Sequence, residues 1–187
     1  MPKGNESPGN ESPGKWISIL YRGGETYIAN QLEQLQIKRG QHRFLIELFY
    51  KDGVCQGDLV KALSIDKSTA AHALAKLEKN GYVKRKKDND DKRFVRVYLT
   101  EKARKIEEDI FSVLSVWTNA IAIGFSDGEE RQLITQLKHM ARNADRILEK
   151  LRERPIPTHE LEQEKKTETI KSTSKDKNDG YKQDTAE

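Results

Sequence analysis

The sequence predicts a mostly α-helical protein with one small β-hairpin, an α+β fold in which a compact nucleus is flanked by long helices. Three observations predict it. Two short amphipathic segments follow each other between Gln56 and Gly81 with a tight turn between them. A basic segment alternating at period two follows directly and ends at Thr100. Long apolar stripes at helical spacing lie on either side of this nucleus. The first two together describe a winged helix-turn-helix, and the third describes a helical dimerisation domain built from the N- and C-terminal helices.

Residues 1–14 repeat Asn-Glu-Ser-Pro-Gly twice. They hold too little apolar material to offset the entropy of ordering, so they read as a disordered arm. Residues 15–39 read as an N-terminal dimerisation helix, with Trp16, Ile17, Leu20, Tyr21, Gly24, Ile28, Leu32 and Leu35 in phase. Gly23 and Gly24 inside it cost helix stability and imply either a kink or a close crossing with another helix.

Residues 40–100 read as the winged helix-turn-helix domain. Its first helix runs from about Gln41 to Lys51 on the stripe Phe44, Leu45, Leu48 and Phe49, and Asp52-Gly53 ends it. Val54 and Cys55 supply a short strand to pair with the wing. Leu59, Val60 and Leu63 then form one stripe, and Ala70, Ala73, Leu74 and Leu77 the next. Asp66 stands at the N-cap position of the second helix, able to accept from the backbone N–H of Ser68 or Thr69. Gly81 stands where a left-handed C-terminal cap belongs. In this register Ser68, Thr69, His72 and Lys76 share the outer face, where short or basic side chains reach base edges and phosphates in a major groove.

The hairpin carries Lys84, Arg85, Lys86, Lys87, Lys92, Arg93 and Arg96 around an Asp/Asn-rich turn. Val95, Val97 and Leu99 alternate with Phe94, Arg96 and Tyr98. Basic residues on a hairpin beside a candidate recognition helix are the footprint of a polyanion binder. A plain helical hairpin and a lysine-protected edge hairpin remain the unspecialised alternatives for the two halves.

Residues 101–154 read as C-terminal dimerisation helices. Thr100 caps a long helix on Ala103, Ile106, Ile110, Val113, Leu114, Trp117 and Ile121. Ser126-Asp127-Gly128-Glu129 is a capping box opening the last helix, whose stripe is Leu133, Leu137, Met140, Ala144, Ile147, Leu148 and Leu151. A nucleus of residues 55–100 cannot bury three further amphipathic helices, so a dimerisation bundle is their simplest use; completion of a monomer core is the other. Pro155 and Pro157 stop the last helix. Residues 155–187 read as a disordered charged tail, with a frayed helical extension through Glu160–Lys165 as the alternative.

The linked motifs Gln56-Gly57-Asp58-Leu59-Val60, Asp66-Lys67-Ser68-Thr69, Leu77-Glu78-Lys79-Asn80-Gly81-Tyr82-Val83-Lys84-Arg85, Asp91-Lys92-Arg93 and Val97-Tyr98-Leu99-Thr100 resemble the MarR family of winged-helix transcriptional regulators. The pattern extends from about Trp16 to Leu151. The resemblance implies a homodimer on palindromic double-stranded DNA, with recognition helices in successive major grooves and wings in adjacent minor grooves. It implies that Arg93 enters the minor groove braced by Asp91. DNA-binding residues are then expected to be Gln56, Lys67, Ser68, Thr69, His72, Lys76, Lys84, Arg85, Lys86, Lys87, Asp91, Lys92, Arg93 and Arg96. The family often has Arg at the position of His72, so base preference there differs and becomes pH-sensitive near neutrality. Ala103 stands where Gly is frequent and favours the helix that follows.

The resemblance also implies a small phenolic or aromatic anionic effector held where the dimerisation helices meet the winged domain. Tyr21, Arg22, His42 and Tyr50 lie on helices bordering such a place, although surface and core roles explain each equally well. Two rival functions stand beside the regulator: an architectural winged helix of low sequence preference, and a winged-helix protein-interaction module.

The sequence contains 187 residues with a net charge of +4, and its Lys and Arg gather around the wing while Glu and Asp populate the flanking helices. One cysteine, Cys55, leaves no intramolecular disulfide and suits a reducing cytoplasm. It reads as a small buried hydrophobe rather than the thiol sensor found in some MarR-like proteins. No apolar run reaches membrane-span length. His42, His72, His139 and His159 fall into no metal-ligand spacing and no nucleophile–base pattern. No catalytic residue, metal or cofactor is therefore expected.

Overall fold

The computed structural model describes residues 12–157 and Glu160. Most of the N-terminal repeat, His159 and nearly all of the charged tail lie outside the described residues. The chain divides into two units, residues 1–123 and 124–187.

In the first unit, α1 spans Pro13–Gln31 and starts just inside the stretch read as an arm. Ser12 caps it by accepting from the Lys15 amide. The sequence stripe continued to Leu35, but the helix stops at Gln31. A 3₁₀ turn takes Glu33–Leu35, and Gln36 adopts φ 56°. Leu32 and Ile37 are both buried, and the turn folds the chain back so that both reach one core.

Of the two alternatives at Gly23-Gly24, the close crossing is the one found. α1 runs unbroken through the pair, and a Cβ on either glycine would come within 3.1 Å of the Trp117 indole. That indole also stacks on Tyr27, with ring centroids 5.5 Å apart.

α2 spans Gln41–Tyr50, β1 Val54–Cys55, α3 Gln56–Ala62 and α4 Lys67–Lys79. Gly81 has φ 78°, and the Tyr82 amide reaches back to the Leu77 carbonyl, so the left-handed cap closes α4 as anticipated. β2 spans Val83–Lys87 and β3 Val95–Leu99. The sheet order is β1-β3-β2, both pairs antiparallel, with Val97 opposite both Val54 and Arg85. Leu45, Leu48, Leu59, Leu74, Leu77, Tyr82 and Val97 are fully enclosed where α2, α3 and α4 meet one face of this sheet.

The long helix expected after Thr100 is divided. α5 spans Glu101–Arg104 and α6 Glu107–Ile121. Thr100 caps α5 by accepting from the Ala103 amide, as expected. At the break the Ile106 amide bonds to Ala103 rather than one residue further back. Ala103, Ile106 and Ile110, in phase in the sequence, all reach the core across this tighter turn.

In the second unit, α7 spans Asp127–Glu153. Ser126 and Glu129 form the capping box reciprocally, the Ser126 amide donating to Glu129 Oε2 at 2.8 Å. α7 buries none of its residues, and its stripe of Leu133, Leu137, Met140, Leu148 and Leu151 is exposed. No described helix is long and apolar enough to cross a membrane.

Candidate nucleic-acid interface

The turn between α3 and α4 places the start of α4 at the surface. Ser64 takes φ 49° to make the bend, and Arg43 Nη2 donates to the Leu63 carbonyl at 3.1 Å. Ala70, Leu74 and Leu77 turn into the core, which leaves Lys67, Ser68, Thr69, His72 and Lys76 exposed on one face. Asp66 caps the helix by accepting from the Thr69 amide at 2.8 Å. The Ser68 hydroxyl first, then the Thr69 hydroxyl and amide, hold the Asp66 carboxyl well below its ordinary range.

The wing is a built object rather than a flexible charge carrier. Asp88, buried at its root, accepts from the amides of Asp90 and Asp91 at 2.8 and 3.1 Å and from Arg96 Nε. These bonds, the Asp91 amide first, lower the Asp88 carboxyl to about 2. Arg96 also donates to the Gly53 carbonyl at 2.9 Å, tying the hairpin to the turn after α2. Gly53 itself, at φ 71°, has no room for a side chain beneath Tyr98. Asp52 accepts from the Leu99 amide at 2.9 Å and from Arg104 at 2.5 Å, so the same turn also fixes β3 and α5.

At the tip the Asp91 carboxylate accepts from the Arg93 amide at 3.0 Å and from its guanidinium at 2.6–3.0 Å. The Arg93 side chain remains 85% exposed while clamped. Lys84, Lys86, Lys87 and Lys92 are exposed around it.

Arg85 and Arg96 depart from the rest of the basic set. Arg85 donates through Nε and Nη2 to Glu78 Oε2, at 2.9 and 2.7 Å, while its own amide donates to Glu78 Oε1. It thereby straps β2 to the last turns of α4. Both arginines are turned to internal partners, a role the sequence reading of the basic run had missed. The pairing of Asp88 with Arg96 carried no signal beyond turn composition. The Glu78–Arg85 pair left only a spacing of seven residues. Gln56 is half-buried at the first position of α3.

The four effector candidates differ in burial and in their partners. His42 is buried with Nε2 3.7 Å from Glu25 Oε1, whereas Tyr50 is 77% exposed. Burial, with the nearby Arg43 charge adding to it, lowers the His42 imidazole to about 4. Tyr21 is exposed, its hydroxyl accepting from Arg43 at 3.4 Å, and Arg22 offers its carbonyl to Arg39 at 3.0 Å. Among the described residues no hydrogen bond joins any two of the four. Cys55, expected in the core, is half-buried in β1, since a two-residue strand opposite Arg96 leaves one side of it open. Among the described residues, no cluster of three His, Cys, Asp or Glu side chains is arranged to hold a metal ion.

Comparison with known proteins bears on this surface directly. The model of the MarR family matches residues 37–95, from the end of the α1–α2 connection to the start of β3. The uncharacterized HTH-type transcriptional regulator YybA of Bacillus subtilis (strain 168) is 27% identical over 126 residues, covering 67% of this chain and 83% of that protein. A putative MarR family regulator from Listeria monocytogenes, solved in complex with a 26mer DNA, is 25% identical with a TM-score of 0.73, covering 79% of this chain and 99% of that one. The solved MarR transcriptional regulator of Methanosarcina mazei Go1 is 41% identical with a TM-score of 0.69, covering 72% of this chain and 96% of that one. An identity of that size along nearly the whole length of a regulator settles the assignment: this chain belongs to the MarR family of winged helix-turn-helix transcriptional regulators, DNA-binding proteins and not enzymes.

Proposed function

We propose that the protein is a homodimeric transcriptional repressor acting in the cytoplasm, which binds palindromic duplex sites and is released by a small phenolic or aromatic anion. α4 enters the major groove with Ser68, Thr69 and His72 at base edges, and Arg93 reads the width of the adjacent minor groove. Lys67, Lys76, Lys84, Lys86, Lys87 and Lys92 neutralise phosphates. Arg85 and Arg96 act behind this surface, holding the wing against α4 and against the Gly53 turn. The dimer forms through the exposed apolar faces of the terminal helices, Trp16 and Leu20 on α1 and the leucine stripe of α7. The effector, on this reading, lies near the α1–α2 packing that holds His42.

The observation that carries the reading is the pairing of two exposed elements: the small-residue face of α4, and an outward arginine already clamped at the wing tip. Selection from random duplexes by the purified full chain tests it, with affinities then measured between 50 and 200 mM salt. A palindromic consensus is expected, with half-sites one helical turn apart, roughly 34–36 Å. A fall of at least about a thousandfold in affinity over that salt range is expected from the lysines. Flat enrichment would favour the architectural alternative, and absence of salt-sensitive DNA binding the protein-interaction one.

A further inference from the structure

The carboxylate of Asp66 does more than close the first turn of α4. It also accepts hydrogen bonds from the hydroxyls of Ser68 and Thr69. Ser68 Oγ donates to Oδ1 at 2.5 Å and Thr69 Oγ1 donates to Oδ2 at 2.6 Å, while the Thr69 amide also donates to Oδ1 at 2.8 Å. A hydroxyl has one proton and two lone pairs. Once its proton is directed at the carboxylate, it meets any outside partner only as an acceptor. Bonds to an ionised acceptor are about twice as strong as neutral ones, so turning either proton outward is costly. Asp66, Ser68 and Thr69 are all exposed. They stand at the end of the helix whose first residues meet base edges in helix-turn-helix complexes.

In the major groove, hydrogen-bond donors come only from the N6 amino group of adenine and the N4 amino group of cytosine, while guanine O6 and N7 and thymine O4 are acceptors. We infer that Asp66 is a specificity-positioning residue. By fixing Ser68 and Thr69 as acceptors, it makes the first turn of the recognition helix choose adenine or cytosine over guanine or thymine at the bases these side chains reach. The inference rests on the reading of α4 as the base-contacting helix. A carboxylate beside the groove adds to the selection, since its charge disfavours the acceptor-rich edges of guanine and thymine.

The two oxygens of Asp66 do different work, and this allows a nearly isosteric test. In Asp66→Asn the carbonyl oxygen keeps the two bonds now made to Oδ1, so the helix cap survives; Asn caps as well as Asp. The amide NH₂ replaces Oδ2 and donates to Thr69, whose hydroxyl proton then turns outward. The experiment is selection from random duplexes by the full-length wild type, Thr69→Val and Asp66→Asn, each first shown to melt at the wild-type temperature. Wild type is expected to favour adenine or cytosine about tenfold at one position of each half-site, the size of one good hydrogen bond. Thr69→Val erases that preference and so locates the position. Asp66→Asn inverts it toward guanine or thymine there and leaves the rest of the consensus unchanged. A palindrome whose preferences are the same in Asp66→Asn, or a wild-type choice of guanine or thymine at the located position, sinks the role of Asp66 and leaves the regulator reading standing. Flat enrichment by the wild type removes both.

Discussion

Arg93 illustrates how a single charged side chain becomes a probe. A free arginine at a loop tip loses about 2 kcal/mol of rotamer entropy when it docks, and the Asp91 fork has already removed much of that freedom. The Arg93 bonds in turn lower the Asp91 carboxyl, so the clamp is charged at any pH at which DNA binding is measured. Arg93→Ala is expected to weaken operator binding by about 10- to 100-fold, with dimerisation and melting temperature unchanged, since the side chain packs against nothing in the core. Fluorescence anisotropy on the selected operator measures the first effect and sedimentation the second; near-wild-type affinity would take the wing out of the mechanism. At this scale the sequence was half legible. Asp91 and Arg93 were anticipated only through the resemblance to the MarR wing motif. The pairings of Arg85, Arg96 and Asp88 were not, because composition displays how many charges a hairpin has and nothing about which are spent on each other.

At the scale of elements, the junction between α1 and α2 holds the least ordinary packing. Glu25 and His42 are both buried, and Glu25 Oε2 is the only buried side-chain oxygen or nitrogen without a hydrogen bond among the described residues. The Glu25–His42 separation of 3.7 Å exceeds hydrogen-bond length, so burial governs the imidazole and keeps it neutral in the folded chain down to about pH 4. An unfolded chain protonates the same histidine near 6.5. Between those values the unfolded state gains a proton that the folded state refuses, so stability is full above pH 6.5 and declines as pH falls towards 4. The loss attributable to His42 is at most about 3 kcal/mol. Melting temperatures recorded from pH 7 to 4 should therefore fall more steeply for the wild type than for His42→Gln, and parallel curves would show that His42 is protonated in the fold. None of this was legible beforehand, because an isolated histidine at a helix start looks the same whether it ends on the surface or inside. Helix positions and the α4 caps were legible, since apolar period, Asp66 and Gly81 act locally. The break at Ile106 and the end of α1 at Gln31 were not, because each is set by a core several elements away.

At the scale of the whole molecule, the apolar residues separate into two populations. Among the described residues the buried apolar core lies between Ile28 and Ile110 in the first unit, so that unit carries its own core. α7 has a stripe at alternating spacings of four and three, Leu133, Leu137, Met140, Ala144, Ile147 and Leu151, and buries no residue of it. A stripe of this length and regularity matches the seam of a helical interface. Water is a poor environment for it, and a second copy of the chain is the proposed cover. If so, stability of the winged unit and affinity for a palindrome are separable. Leu137→Glu with Met140→Glu places two charges in the seam without touching the buried core. The variant is expected to sediment as a monomer and to retain the far-ultraviolet signature of the winged unit. Losing the second attachment point costs effective concentration rather than any contact to DNA, so its affinity for the full palindrome should fall about 10²–10⁴-fold, to the level of one half-site. Its affinity for an isolated half-site should equal that of the wild type. A variant that stays dimeric would move the interface away from α7, and one that is monomeric yet binds the palindrome undiminished would mean that a single protomer carries all of the recognition.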